Sequence, residues 1–258
     1  MKEDLLVDVR RKNPLIHHLT NQVVMNFSAN GLLAFGGSPI MAKAQEEVHE
    51  IARMADGVLI NIGTLVKHDL PAMIKAGKTA NEVGIPVVLD PVGVAATPYR
   101  RSAVEDILTN VKVTLIKGNA GELAHLVDIP WQTKGVESID DGNTEKIARK
   151  VSEKFQTTAV VTGQTDVICT KDQQVIQNQS GHIYLTKITG AGCLLGSILT
   201  ACLTTDDPIE KQAFTAVNFF GLAAEYAATH PNVSGPGTFL PHFLDALSYD
   251  FETLERKK

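Results

Sequence analysis

Four short, nearly all-apolar runs, each closing on a polar residue with a glycine close behind, constrain this chain most. They are Gly57-Val58-Leu59-Ile60-Asn61-Ile62-Gly63, Val87-Val88-Leu89-Asp90, Val113-Thr114-Leu115-Ile116-Lys117-Gly118 and Thr158-Ala159-Val160-Val161-Thr162-Gly163. A strand without polar alternation is one covered on both faces. Helical patterns separate the runs, at residues 70–83, 97–110, 119–127 and 140–155, with Pro98 suited to a first helical turn. Repeated strand–helix units imply an α/β fold, three layers deep, with a mainly parallel central sheet between helices. Residues 166–170, 173–177 and 182–185 then read as short strands with tight links, an antiparallel edge. Further helices are predicted at 2–12, 23–34, 45–54, 194–203, 208–229 and 237–256. Residues 15–21 read as a loop or short strand. No fixed-period repeat, low-complexity stretch or linker divides the chain, so residues 1–258 read as a single domain.

Composition narrows the function classes. A chain of 258 residues with 44% hydrophobic and 21% charged residues has ample material for a full core. Its net charge of −5 gives no basic bias, which argues against nucleic acid or an anionic membrane as partner. No apolar run reaches membrane-spanning length, and the opening M-K-E-D-L-L-V-D-V-R has acids where a signal peptide has an apolar core. A cytoplasmic protein is expected. Three cysteines without a C-x-x-C exclude a disulfide framework, and the eight histidines show no zinc spacing.

In such sheets ligands bind beyond the carboxyl ends of the strands. The groups gathered there are Asn61-Ile62-Gly63-Thr64, Asp90-Pro91-Val92-Gly93, Lys117 to Glu122, and Thr162-Gly163. Asp90 and Glu122 are acids where a hard cation could sit, and Lys117 is a cation suited to phosphate. Each has a plainer reading: a turn for Asp90-Pro91, a helix first turn for Glu122, a surface lysine for Lys117. Taken with I-T-G-A-G-C-L-L-G-S-I-L-T at 188–200, they favour a nucleotide-phosphate site. There Gly190 and Gly192 stand where a strand ending at residues 184–186 gives way to a helix. The amides of Ala191, Gly192 and Cys193 have no helical partner, so they form an anion cradle. A thiol at Cys193, in that first turn, is expected to have a lowered pKa. The dinucleotide pattern G-x-G-x-x-G fails because Gly196 comes one position late, which weakens a nicotinamide-dependent oxidoreductase. Gly77-Lys78-Thr79 resembles the end of a P-loop, but Ala72 replaces the required glycine and the segment lies in a helical pattern.

T-G-A-G-C at 189–193, D-P-V-G at 90–93, G-N-A-G-E at 118–122 and V-T-G at 161–163 resemble the ribokinase-like kinases, whose N-x-x-E signature matches Asn119 to Glu122. The opening N-P-L-I-H-H-L-T-N-Q-V-V-M-N-F-S-A-N at 13–30, with G-G-S-P-I-M-A at 36–42, is similar to one branch, the hydroxyethylthiazole kinases. That resemblance implies a ribokinase-like fold. It also implies transfer of phosphate from ATP, with Mg2+, to 4-methyl-5-(2-hydroxyethyl)thiazole, a thiamine precursor. It puts Asn21, Met41, Gly63 and Gly190 at the thiazole, Lys117 and Thr162 at the nucleotide, and Asp90 and Glu122 near the metal. It further implies a homotrimer with pockets between subunits. Lys117 stands where the branch often has arginine, and Cys193 where the wider superfamily has aspartate. Two roles for Cys193 remain open, a base taking the substrate proton and a small residue in the turn. His17 and His18 either line the thiazole pocket or satisfy local backbone groups. A kinase for hydroxymethylpyrimidine and a non-catalytic thiazole sensor are the rival functions.

Overall fold

The computed structural model describes residues 2–131 and 141–255. Residues 140 and 256, the outer ends of two predicted helices, lie outside that range. In chain order the elements are α1 (Lys2–Lys12), β1 (Leu15–Leu19), α2 (Met25–Phe35), β2 (Ser38–Ile40), α3 (Val48–Met54), β3 (Gly57–Asn61) and α4 (Asp69–Val83). Next come β4 (Val87–Asp90), α5 (Pro98–Asn110), β5 (Leu115–Asn119), α6 (Ala120–Leu126), α7 (Asp141–Phe155), β6 (Thr158–Thr162), β7 (Asp166–Cys169) and β8 (Val175–Asn178). A 3-10 turn (Ile183–Lys187), α8 (Ala191–Cys202), α9 (Ile209–Ala228), α10 (Pro236–Ala246) and α11 (Phe251–Glu255) complete the described chain.

Among the described residues, eight strands form one sheet in the order β2-β1-β3-β4-β5-β6-β7-β8. β2 through β6 in that order are parallel, and β7 and β8 close the edge antiparallel. Successive strand residues point to opposite faces, and each face has its own core. Leu59, Val88, Leu115 and Val160 meet Leu5, Leu32, Leu194, Phe219 and Phe243 from α1, α2, α8, α9 and α10. Val58, Ile60, Leu89, Ile116 and Val161 meet Val48, Met73, Val104, Leu123 and Ile147 from α3 to α7. This is why the runs lack polar alternation.

Helix α8 packs closely on the sheet. A methyl group added at Gly196 would sit 3.3 Å from Leu59 Cδ1, and one at Gly57 would sit 2.9 Å from Thr200 Cγ2. Gly196, one residue late for a dinucleotide fingerprint, thus lets the helix approach β3. Gly77 likewise sits inside α4, where an added methyl would meet Val111 Cγ1 at 2.6 Å. Thr97 caps α5 by accepting from Arg100 N–H, and Pro98 opens that helix.

Two expectations fail. Residues 182–185 form no strand. Leu185 N–H donates to the His182 carbonyl at 3.0 Å and Tyr184 N–H to His182 Nδ1 at 3.2 Å. The His182, Tyr184 and Phe239 rings also pack together, drawing the segment away from the sheet edge. The helix expected over 237–256 breaks after α10. Arg10 takes the carbonyls of Leu247 and Tyr249, at 3.1 and 2.7 Å, and Asp250 caps a new helix by accepting from Thr253 N–H.

Two glycine substitutions should separate packing from propensity. At Gly221, in α9, an added methyl drives into the backbone oxygen of Ser180. Gly221→Ala should therefore lower unfolding free energy by about 1–3 kcal/mol. At Gly237, in α10, nothing lies within 4 Å of the added methyl. Gly237→Ala should raise it by up to about 1 kcal/mol. Urea melts of both variants check the pair.

Candidate active site

The alternation that builds the core also builds the site. Leu59, Val88 and Leu115 face α8, so Asn61, Asp90 and Lys117, two residues further along each strand, face it too. Asn61 stands directly opposite Asp90 in the parallel ladder. The three are 1%, 0% and 4% exposed. Lys117 Nζ donates to Asp90 Oδ1 at 3.0 Å and to the Gly192 carbonyl at 3.0 Å. Asn61 Nδ2 donates to the other oxygen, Asp90 Oδ2, at 2.7 Å. Burial pushes the Asp90 carboxyl up to about 6, against the pull of Lys117. For Lys117 burial acts downward, but Asp90 and its neighbours outweigh it and hold the ammonium above its usual value. Lys117 is therefore a buried ion-pair partner and not a surface lysine.

Gly190 adopts φ 91°, the left-handed turn that glycine favours, and α8 begins after it. An added methyl there would collide with Val24 Cγ1 at 2.5 Å. Leu194 N–H is bonded to the Gly190 carbonyl at 2.9 Å. The amides of Ala191, Gly192 and Cys193 precede any carbonyl they could reach within the helix, so they and the helix dipole favour an anion. Ala191 and Gly192 border a cleft of about 860 Å³ with Asn119, Thr162, Asp166 and Phe220. The chain reaches this helix from a 3-10 turn and not from a strand.

Cys193 corrects a further expectation. Its thiol is pushed up, first by burial and then by the Asp90 charge, and these outweigh Lys117 and the amides of Asn61 and Asn21. A helix N-terminus does lower a thiol pKa, but a neighbouring buried carboxylate and dry surroundings dominate here.

Glu122 Oε1 accepts from Gly93 N–H at 2.8 Å and Oε2 from Asn119 N–H at 3.0 Å, while Asn119 Oδ1 caps Glu122 N–H. The N-x-x-E pair is thus a capping box that also ties down the turn after β4. Thr162 Oγ1 reaches the Gly118 carbonyl at 3.3 Å. On the other side of α8, Asn21 Nδ2 donates to Asn61 Oδ1 at 2.9 Å and lies 3.4 Å from Cys193 Sγ. Gly63 packs on Asn21, where an added methyl would lie 2.8 Å from Asn21 Cβ. Met41 is half-buried just past β2. The structure therefore brings together Asn21, Gly63, Asp90, Lys117, Gly192 and Cys193, with Glu122 tied in through Gly93. Among the described residues no group of three or more His, Cys, Asp or Glu is arranged to hold a metal.

His17 and His18 satisfy structure. His17 Nε2 lies 2.7 Å from the Ala42 carbonyl, and His18 bridges the Ile16 carbonyl and Ser197 Oγ, each at 2.9 Å. Arg100 is a site residue that sequence reasoning missed. Its guanidinium donates to the carbonyls of Ile62, Gly63 and Val92 at 2.6, 2.6 and 2.8 Å. It staples the turns after β3 and β4 together. Its only signal was the cation pair Arg100-Arg101 near the start of a helix, where the dipole disfavours positive charge.

The topology has relatives of a definite class. A ribokinase-like superfamily protein from Enterococcus faecalis V583 superposes with TM-score 0.67, covering 96% of this chain and 94% of that one at 13% identity, a likeness of fold alone. The fold is thus ribokinase-like. Sequence goes further: the Hydroxyethylthiazole kinase family matches residues 6–252. Hydroxyethylthiazole kinase 1 of Oceanobacillus iheyensis is 62% identical over 248 residues, 96% of each chain. The solved hydroxyethylthiazole kinase of Pyrococcus horikoshii OT3 superposes with TM-score 0.89 at 36% identity, over 100% of this chain and 96% of that one. This chain belongs to the hydroxyethylthiazole kinase family, and it is a kinase.

Asp166, on the cleft wall, gives a pH test. Burial raises its carboxyl to about 6, against the hydrogen bonds from Asn178 and Gly163 N–H. Its folded pKa lies above its unfolded value of 3.8, so the native state keeps a proton that the unfolded chain releases. Its contribution to stability should fall as pH rises from about 4 to about 6, and stay constant above. Asp166→Asn removes that slope, so between pH 5 and pH 7 its urea midpoint should fall less than the wild type's.

Proposed function

We propose that this chain transfers the γ-phosphoryl group of ATP to the hydroxyl of 4-methyl-5-(2-hydroxyethyl)thiazole, giving the thiazole phosphate of thiamine biosynthesis and salvage. The observation that carries this reading is the meeting of the Gly190 turn and the α8 N-terminus with the buried Asp90–Lys117 pair, at the carboxyl edge of the sheet. Residues 1–258 are read as one kinase domain, supported by the single continuous sheet.

Phosphoryl transfer asks for positioning and charge stabilisation more than for covalent chemistry. The nucleotide lies in the cleft beside Asn119 and Thr162. The amides of Ala191, Gly192 and Cys193 receive the transferring group. Lys117 acts from beneath the first turn of α8, holding the Gly192 carbonyl and adding positive charge, in place of a guanidinium fork. Asn21, Met41, Gly63 and Gly190 form the acceptor side, where backbone and apolar groups suit a flat neutral ring. Cys193 faces Asn21 between the two sides. Burial and the Asp90 charge hold its thiol above the usual value, which favours reading it as the small residue of the turn over a base.

The acids fit Mg2+ loosely. Glu122 is partly open to solvent, whereas Asp90 is fully buried with both oxygens engaged. Glu122 would hold the ion, through water, and Asp90 would add its charge from below, in keeping with an ion that draws most ligands from water and phosphate. When bound, Mg2+ neutralises the charge on the phosphates.

The three cysteines are unpaired, which supports a reducing cytoplasmic setting, and no helix among the described residues is long and apolar enough to cross a membrane. Val23 and Val66, 70% and 42% exposed, follow closely on Asn21 and Gly63. An apolar rim there supports a homotrimer with the acceptor pocket at the subunit boundary. Light scattering on the purified chain should give three times its 27.8 kDa mass.

ADP release with MgATP should depend on hydroxyethylthiazole and not on hydroxymethylpyrimidine. Release with the pyrimidine alone would replace the substrate. Thiazole binding without release would make the protein a sensor. Cys193→Ser should lower kcat by less than about tenfold, not the roughly 10²–10⁴-fold expected on losing a general base.

A further inference from the structure

We infer that Asn61 is a positioning residue that sets the acceptor side of the site against the phosphate side. The inference rests on the kinase reading above. Asn61 is the last residue of β3, and both ends of its amide are engaged. Oδ1 accepts from Asn21 Nδ2 and from Gly63 N–H, both at 2.9 Å. Nδ2 donates to Asp90 Oδ2 at 2.7 Å. A primary amide has two acceptor sites and two hydrogens, and here both acceptor sites and one hydrogen are used.

The three partners come from three different segments: the turn after β1, the turn after β3 and the end of β4. They also fix the amide's orientation. Turned over, it would set N–H against two N–H donors and an oxygen against a carboxylate. Aspartate would place a second carboxylate on Asp90. An apolar residue of the same size would remove a partner from the Gly63 N–H, from Asn21 Nδ2 and from Asp90 Oδ2. Position 61 lies on the face of the sheet where Leu59 simply packs, so the core has no use for an amide there.

The consequence runs through Asn21. Held by Asn61, Asn21 turns its own Oδ1 to accept from Val24 N–H at 3.2 Å. Val24 is the residue against which Gly190 packs. Asn61 thus fixes Asn21, the Gly63 amide and the wall beside Gly190 as a unit. The phosphate side has its own ties, Lys117 to Asp90 and Lys117 to the Gly192 carbonyl, which persist without Asn61. Loss of the amide should therefore let the acceptor side drift while the nucleotide side stays. Transfer requires the hydroxyl in line with the phosphoryl group, and a small misplacement is costly.

The test uses the full chain, with steady-state kinetics in hydroxyethylthiazole and in ATP separately, and thermal melts alongside. Asn61→Ala should raise KM for the thiazole by about tenfold or more and lower kcat, with KM for ATP within about twofold of wild type. Asn21→Ala should raise the thiazole KM as well. The double variant should be no worse than the poorer single one, because both act on the same unit. A fall in kcat with both KM values unchanged would mean a smaller folded fraction and would overturn the inference. So would an equal rise in both KM values, an Asn21→Ala variant without effect, or multiplicative losses in the double variant. If Asn61→Ala does not fold, Asn61→Ser, which keeps a small donor and acceptor, is read by the same split. Absence of thiazole phosphorylation in the wild type would instead refute the kinase reading, so the two failures are distinguishable.

Discussion

The seat of α8 on the sheet governs the site. A helix that presents glycine to a strand, and a strand that presents glycine back, can approach closer than side chains normally allow. Gly196 lies over Leu59, and Gly57 under Thr200. That contact fixes the height of the helix, and so the level at which its first turn emerges. It emerges beside the carboxyl ends of β3, β4 and β5, where three parallel neighbours each turn a polar residue to the same face. An anion cradle on a loosely seated helix would find no fixed lysine and carboxylate beneath it.

The buried ion pair then couples the helix to the strands. Asp90 and Lys117 are costly to desolvate, and their mutual attraction is weak evidence of net stability. Removing one partner would cost about 3–5 kcal/mol, because the other charge would remain buried alone. The pair is better understood as a device for orientation. Asp90 uses one oxygen for Lys117 and the other for Asn61, while Lys117 spends a second hydrogen on the Gly192 carbonyl. One carboxylate thereby links two strands to the first turn of the helix. The same charge raises the Cys193 thiol, so the arrangement that places the cysteine also keeps it protonated.

The parts legible in the sequence were those written in periodicity and at strand ends. All-apolar runs gave the parallel strands β3 to β6, and inspecting the residues that close them led to Asn61, Asp90, Lys117 and Thr162. The Gly190 turn was readable because a left-handed residue before an apolar helix favours glycine. Local pattern misled where side chains from distant segments decide the outcome. Residues 182–185 look like a strand, yet Phe239, far along the chain, draws the His182 and Tyr184 rings into a turn. The break at 247–250 depends on Arg10, from the first helix. Likewise the Cys193 pKa could not be read from its place in a helix, since burial sets it first and the Asp90 charge on β4 adds to it.

Arg100 and Glu122 show a further reason why motif reading stops short. Glu122 reads as an acid for a metal, and Arg100 gave no ligand reading at all. In the structure each satisfies backbone first. Arg100 takes three carbonyls from the turns after β3 and β4, and Glu122 takes the N–H groups of Gly93 and Asn119. Turns that leave a strand to meet a ligand leave carbonyls and amides without ladder partners, and these two side chains supply them. Glu122 retains unused lone pairs and some solvent access, so it can do both tasks. Arg100 points its guanidinium into the turns, so it acts on its surroundings through Gly63, much as Asp90 acts through Lys117. The site is therefore a layer of ligand-facing backbone and small residues held by a layer of charged side chains beneath it. Substitutions in the lower layer should change where the upper one sits before they change what it is.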